Sequence, residues 1–224
     1  MLDITTTATI RPGLFRRTLK SFTRNLFVNK DECRLILNVD PVGDDVDPEE
    51  MYDVANSFFD HVLYNNSSNS NFAQACQFCW SKTDSEFVFH LEDDWTISRK
   101  INIKDMLSLM RNNNNMMSLR LPKLTLKNIN KEDSKNKFIK HHKLSLNPTI
   151  FRGSFIRNVA KNMNITDNPE KQLRKAFKLP KDEIAGIYCG LGNGEYIRHN
   201  GRQWQKASNY KKRKGSNFIS WERR

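Results

Sequence analysis

The alternation of strand-like and helix-like segments over residues 2–91 constrains this chain more than any other feature. "LDITTT" (2–7) has strand character, and Pro12 stands where a first helical turn would open. Phe15, Leu19, Phe22 and Leu26 then recur at helical spacing. "CRLILNV" (33–39) is continuously apolar, as a buried strand is. Asp47-Pro48-Glu49-Glu50 signals a second helix start, with an Asp cap and Pro at the first position, continued by Val54, Ala55 and Phe58. "HVLYN" (61–65) predicts a third strand, "NFAQACQFCWSKT" (71–83) a third helix and "EFVFHL" (86–91) a fourth strand. Parallel strands need crossover connections, so this order implies a parallel sheet with helices on both faces.

The second half is less regular. "KDMLSLM" (104–110) predicts a helix and "MMSLRL" (116–121) a strand. Residues 123–143 are Lys-rich with little pattern and are expected to form a loop. "GSFIRNVAKNM" (153–163) predicts a helix capped by Ser154, and "DNPEKQLRKAF" (167–177) another with Asn168 as cap and Pro169 first. "EIAGIYCGL" and "EYIRH" predict short strands, and "NYKKRKGSNFISWERR" a peripheral tail.

In open α/β sheets ligands bind at the carboxyl ends of the strands. Thr5–Thr7, Asp40 and Glu92–Asp94 fall at those ends. G-x-G-x-x-G and G-x-x-x-x-G-K-[ST] are both missing, so a dinucleotide fold and a P-loop are unsupported. Three adjacent acids after an apolar strand repel one another and lose hydration. A hard cation such as Mg²⁺ or Mn²⁺ would remove that penalty and would share the site with phosphate oxygens. The plainer reading is a solvated acidic turn.

The cysteines exclude other chemistry. Four of them, in 224 residues, make no disulfide framework and are expected to be reduced. Cys76 and Cys79 form C-x-x-C, with His141 and His142 further on, but the pair lies inside an amphipathic helix and no second C-x-x-C exists. Packed thiols are expected rather than zinc. No G-x-S-x-G elbow is present. No apolar run is long enough to span a membrane and the N-terminus lacks signal-peptide character, so a cytoplasmic protein is expected.

"FVFHLEDDW", with an acidic triplet followed by Trp, resembles the metal-binding D-x-D-type motif of nucleotide-sugar glycosyltransferases of the GT-A fold. "ITTTATIRPGLFRRTLKSF" resembles that family's opening strand, nucleotide loop and first helix. "NFAQACQFCW", "LSLNPTIFRGSFI", "NPEKQLRKAF" and "EYIRHNGRQW" resemble its later segments in order. The resemblance spans most of residues 2–204. It implies a Rossmann-like, mostly parallel sheet flanked by helices, with a nucleotide-sugar half (1–98), a smaller acceptor half (99–204) and a basic tail (205–224). It further implies a UDP-sugar donor and Mn²⁺ or Mg²⁺. Asp94 would be the direct metal ligand and His199 the distal one, unless His199 is a surface residue beside a turn. Glu92 and Asp93 would meet the donor sugar, the ribose or the metal's water. Thr5, Thr6, Thr7 and Arg11 would line the nucleotide pocket unless they are ordinary strand threonines and a surface Arg, Asp40 would hold base or ribose unless it is merely the acidic turn after the second strand, and Asn71 would reach the donor or merely cap its helix. Glu170, in a helix first turn, would be the base of an inverting transferase, with Asp167 in reserve.

The acceptor reading comes from charge. The chain carries a formal net charge of +12, and residues 198–224 hold nine Lys and Arg against one Glu. Lys171, Arg174 and Lys175 follow the proposed base, and Arg202, Lys211, Lys212, Arg213 and Lys214 lie near the C-terminus, interleaved with Trp204, Tyr210, Phe218 and Trp221. Cations neutralise phosphates and aromatics stack on bases. The pattern resembles phage enzymes that glycosylate hydroxymethylated pyrimidines in DNA, which implies DNA as acceptor and base flipping. Two alternatives stay open: a transferase extending a surface polysaccharide or lipid-linked glycan, and a non-enzymatic nucleic-acid-binding module. The sugar, the choice between Mg²⁺ and Mn²⁺ and the oligomeric state are left open.

Overall fold

The computed structural model describes residues 1–27, 29–123, 135–141, 143–177, 182–192, 194–208, 210–214 and 219–223; in the last two segments the side chains described are those of Tyr210 and Trp221. His142, Phe218 and the side chains of Lys211, Lys212, Arg213 and Lys214 therefore lie outside the described residues. Among the described residues an eight-stranded sheet forms the centre. It begins with β1 (Leu2–Ile10), β2 (Cys33–Gly43), β3 (Val62–Asn66) and β4 (Phe87–Glu92), joined by α1 (Pro12–Asn25), α2 (Glu49–Asn56) and α3 (Phe72–Ser81). β1 pairs in parallel with both β2 and β4, and β2 with β3, giving the order β3-β2-β1-β4.

The second half adds β5 (Trp95–Ile97), α4 (Ile103–Asn112), β6 (Met116–Arg120), β7 (Phe138–His141), β8 (Thr149–Arg152), α5 (Gly153–Lys161), α6 (Pro169–Phe177), β9 (Ile184–Tyr188), β10 (Ile197–His199), α7 (Gly201–Ala207), β11 (Tyr210–Lys214) and β12 (Ile219–Arg223). β8 inserts antiparallel between β4 and β6, and β7 closes the far edge antiparallel to β9. The sheet is thus mixed, not wholly parallel. Two small antiparallel pairs, β5–β10 and β11–β12, stand apart from it.

Sequence periodicity explains the two faces. Ile4, Ala8 and Ile10 of β1 alternate with odd-numbered threonines. The even set packs with Phe15, Leu19 and Phe22 of α1, Met51 and Val54 of α2, and Met106 and Met110 of α4. The opposite face buries Ile36, Val88 and Phe151 under Cys76 and Trp80 of α3, Ile156 and Val159 of α5, and Leu173 and Phe177 of α6. Gly43, at φ +148°, ends β2 where a Cβ would meet the Ile10 carbonyl oxygen at 2.0 Å. The β1–β2 register shifts at that point.

Several local expectations change. Ser154 does not cap α5: the cap position is Arg152, without a side-chain cap bond. Residues 123–143 are not all loop, since Phe138–His141 form β7, and 124–134 lie outside the described residues. β5, β8 and α7 went unpredicted. Asn168 does cap α6, its Oδ1 accepting from the N–H groups of Glu170 and Lys171 at 2.9 and 3.1 Å.

Candidate active site

Two cavities compete for attention. The larger, about 1030 Å³, opens at the amino ends of β1, β2 and β4 and mixes apolar groups such as Leu2, Phe27, Phe87 and Ile103 with charged ones such as Asp31, Glu86, Lys104 and Arg111. The smaller, about 80 Å³, lies at their carboxyl ends, where ligands bind in open α/β sheets. Its lining gathers Thr7, Thr9, Arg11, Asp40, Ser70, Phe72, Glu92, Asp93, Asp94, His199 and Trp221. Chemistry outweighs volume here, and the smaller cleft is the candidate site.

Strand pairing builds it. Thr7 sits in register between Asn38 of β2 and Glu92 of β4, and Thr9 opposite Asp40. All five side chains therefore share the α3 face. The hydroxyls of Thr7 and Thr9 have no hydrogen-bond partner among the described residues. Thr5 is placed elsewhere: one step deeper, its Oγ1 lies 3.2 Å from Nδ1 of buried His90. Thr6 points to the opposite face, fully buried. The pocket-lining expectation for Thr5–Thr7 thus narrows to Thr7, and Thr9 replaces the other two. Period-two alternation along β1 held that signal. Asn71 is the N-cap of α3, accepting from the Gln74 N–H at 3.0 Å and donating to the Ile165 carbonyl; it is not in the lining.

The acidic triplet divides into three environments. Asp93 is 2% exposed and takes a two-point ion pair from Arg11, one arm being Nε to Oδ2 at 2.9 Å. The Thr9 N–H also donates to Oδ2 at 3.2 Å, and the Thr18 hydroxyl to the Asp93 carbonyl at 2.7 Å. Burial pushes the Asp93 carboxyl up, with Arg11 opposing and Asp94 adding to the rise. Burial also pulls against the Arg11 charge, yet Asp93 and Asp94 outweigh it and raise its pKa. Glu92 accepts from the Trp95 indole N–H at 3.1 Å. Asp94 turns to the other side: its Oδ2 lies 3.3 Å from His199 Nε2 and 3.6 Å from Arg11.

β10 and the turn into α7 bring His199 there. The Asn200 N–H donates to the Asp94 carbonyl at 2.7 Å, and the Trp95 and His199 rings meet edge-on at 4.9 Å. A Cβ on Gly201 would stand 2.1 Å from Asp94 Oδ2, so only glycine leaves the carboxylate this position. Two ligands at about 2.1 Å from one octahedral ion stand about 3 Å apart. The Asp94–His199 spacing fits such a pair. Among the described residues no third His, Cys, Asp or Glu joins them in a cluster, so the remaining positions would fall to phosphate oxygens and water.

Asp40 carries the clearest electrostatic cost. It is 6% exposed, and burial pushes its carboxyl up to about 6 despite donors from Asn38, Ser70 and the Asn71 N–H. The C-terminal segment proves less peripheral than expected: Trp221 lines the cleft. Trp204 packs on Tyr210 and Trp221, carries the Arg11 guanidinium 4.8 Å over its ring and donates to Asp44 at 2.9 Å. Arg202 is exposed nearby. Glu170, Asp167, Lys171, Arg174 and Lys175 do not line the cleft. Glu170 pairs with Arg174 at 3.0 Å, and Asp167 Oδ2 accepts from Asn164 at 3.4 Å. Cys76 and Cys79 are buried, the Cys79 thiol 3.4 Å from the Thr6 carbonyl. Among the described residues no helix is long and apolar enough to cross a membrane.

No protein-family model matches the sequence, and no curated protein matches it. Solved structures do. S. aureus TarS 1–349 in complex with UDP superposes with a TM-score of 0.64 at 11% identity, over 86% of this chain and 59% of that one. Its complex with UDP-GlcNAc gives 0.61 at 13% identity, over 86% and 57%. A longer TarS structure gives 0.60 at 10% identity, over 89% and 36%. The fold is therefore α/β of the GT-A kind, a mixed, mostly parallel sheet flanked by helices. This chain spans between about a third and three-fifths of those TarS chains.

Proposed function

We propose that this protein is an inverting glycosyltransferase that moves a sugar from a UDP-sugar to an acceptor hydroxyl. The observation that carries the reading is the cleft at the carboxyl ends of β1, β2 and β4, where Asp40, Arg11, Asp94 and His199 converge. The likeness to TarS, solved with UDP-GlcNAc, makes that donor the first to try.

In this reading Asp40 accepts from the base or ribose, and the free hydroxyls of Thr7 and Thr9 bond the nucleotide. Arg11, held by Asp93, offers positive charge to the diphosphate; Asp93 thereby acts through Arg11 rather than on the sugar. Asp94 and His199 would hold Mn²⁺ or Mg²⁺, which neutralises the leaving diphosphate. Glu92 stays near the sugar, oriented by Trp95. Glu170 takes the acceptor proton, with Asp167 second in line. The acceptor oxygen forms its bond to the sugar's anomeric carbon as the bond to the diphosphate breaks, and the electron pair leaves with UDP.

The acceptor proposed first is hydroxymethylated DNA. Its support is charge: exposed Lys171, Lys175 and Arg202 beside the net +12. Trp204 is committed to Arg11 and Asp44 and is withdrawn as a base-stacking residue. The test incubates the protein with UDP-GlcNAc and other UDP-sugars, Mn²⁺ and hydroxymethylated DNA, then reads nucleosides by mass spectrometry. Sugar on the DNA is the expected result. UDP-sugar hydrolysis without it moves the acceptor to a surface glycan. DNA binding with no UDP binding at all overturns the enzyme reading.

A further inference from the structure

The carboxyl edge of the sheet holds a second polar group, two strands away from the acidic triplet. Thr149 of β8 pairs with His90 of β4 on one side and Arg120 of β6 on the other. One cross-strand row therefore runs His90, Thr149, Arg120, with side chains on the α3 face. At about 4.8 Å per strand, the Arg120 backbone stands about 10 Å from His90 and about 12 Å from Glu92.

Arg120 is half-buried, and its charge is poorly answered. Its hydrogen-bond partner among the described residues is the His141 ring, Nη2 to Nε2 at 3.4 Å, which supplies no negative charge. Glu170 is the nearby carboxylate, but its ion pair is with Arg174, at 3.0 Å. Arg174 is fixed in turn by donating from Nε to the Leu144 carbonyl at 3.0 Å. Burial lowers the Arg120 pKa and the neighbouring Arg174 lowers it further, with Glu170 opposing. Two guanidiniums thus share one carboxylate on a partly desolvated surface. Buried charges are ordinarily paired. Among the described residues the arrangement is short of one anion.

We propose that Arg120, Arg174 and His141 form a subsite for a phosphate group carried by the acceptor, next to the hydroxyl that Glu170 serves. This rests on the transferase reading for the role of Glu170, though not for the anion binding itself. Arginine forks match phosphate oxygens two at a time, which a lysine cannot do. An anion here also competes with Glu170 for Arg174, and a carboxylate released from its guanidinium is the stronger base.

The probe is inorganic phosphate, added to the full chain without divalent cation at ionic strength held constant with chloride. The readout is the saturable rise in Tm. Arg120→Gln is expected to weaken phosphate binding by about tenfold or more, as loss of a charge-assisted pair does. Arg120→Lys should restore part of it, and Lys20→Gln, an exposed change on α1, should change nothing. An unaltered response in Arg120→Gln, or an equal loss in Lys20→Gln, overturns the subsite. UDP binding with Mn²⁺ is measured in parallel on the same variants and on Asp94→Asn. Absent UDP binding with an Arg120-dependent phosphate response removes the donor reading and leaves the subsite; the converse removes the subsite alone. Competition by a short single-stranded oligonucleotide against glycerol 3-phosphate then tells a nucleic-acid backbone from a phosphorylated polyol.

Discussion

Replacing Asp40 by Asn should stabilise the protein at neutral pH, by an amount that shrinks towards zero as pH falls to 4.5. Asp40 lies at the end of β2 with its carboxyl pushed up to about 6 by burial, against 3.8 for an unperturbed Asp. Between those values the folded chain binds a proton that the unfolded chain has released. Stability therefore falls as pH rises through that window, and the full cost is present above it. A gap of about two pH units, at 1.36 kcal/mol each, sets that cost at about 3 kcal/mol. Linkage leaves about 1 kcal/mol of it at pH 4.5 and nearly all of it at pH 7.5. An Asn side chain at this position keeps the acceptor for the Asn38 amide, 3.1 Å away, but presents an amide N–H₂ where Ser70 and the Asn71 N–H donate. That mismatch subtracts about 1 kcal/mol at either pH. The robust quantity is the difference: the gain from Asp40→Asn should be about 2 kcal/mol larger at pH 7.5 than at 4.5. Urea unfolding at both pH values measures it. Equal effects at the two pH values would refute the reasoning, because a lost or gained packing contact has no such pH dependence. A residue kept at this cost needs a functional reason, and the same variant should bind UDP more weakly.

Other perturbations probe the neighbouring residues. His90 is fully buried and its pKa is lowered to about 3 by burial, so stability is lost as pH falls from 6.5; His90→Gln should remove about 2 kcal/mol of the loss between pH 7.5 and 5, read by the same unfolding curves. Arg11→Met strands the Asp93 carboxylate and should cost about 3–5 kcal/mol, with much of it recovered in the double variant Arg11→Met, Asp93→Leu. Asp94→Asn should abolish Mn²⁺-dependent UDP binding, measured by calorimetry, while leaving the unfolding free energy within about 1 kcal/mol of the parent. Gly201→Ala should act like Asp94→Asn on binding, since its Cβ claims the place of Asp94 Oδ2.

Much of this molecule was legible because local patterns and tertiary packing agreed. The β-α-β order over residues 2–91 required parallel strands, and the edge where their carboxyl ends meet is where the cleft lies. Asn168 and Pro12 announced helix starts through backbone rules that hold whatever packs above, whereas α2 starts one residue later than expected, with Pro48 and not Asp47 at its N-cap and Asp47 Oδ1 accepting from the Glu49 N–H. The antiparallel insertion of β8 was not legible, because four residues of "TIFR" carry no period long enough to register. Nor was Trp221, whose approach to the cleft depends on how a distant hairpin docks. Pairing register was the signal left unused. Had β1 been read with period two, Thr6 would have gone to the α1 core and Thr9 to the cleft.

The acidic triplet shows why the residue types alone could not assign roles. Three adjacent carboxylates at one strand end invite a single explanation, a cation that neutralises them together. The backbone turns between them, so each meets a different partner. Asp93 is already answered by a buried guanidinium, with the Thr9 N–H completing its shell. Glu92 is held by an indole three residues on. Only Asp94 faces an imidazole at a spacing that two ligands of one ion share. The like-charge penalty is thus met mostly within the protein, by Arg11. Under the proposed transferase reading, a divalent ion would serve the donor's diphosphate rather than folding. The expected consequence is that a chelator should abolish UDP binding yet leave the apo Tm unchanged. A drop in Tm on chelation would mean that the metal, and not Arg11, holds the acidic motif together.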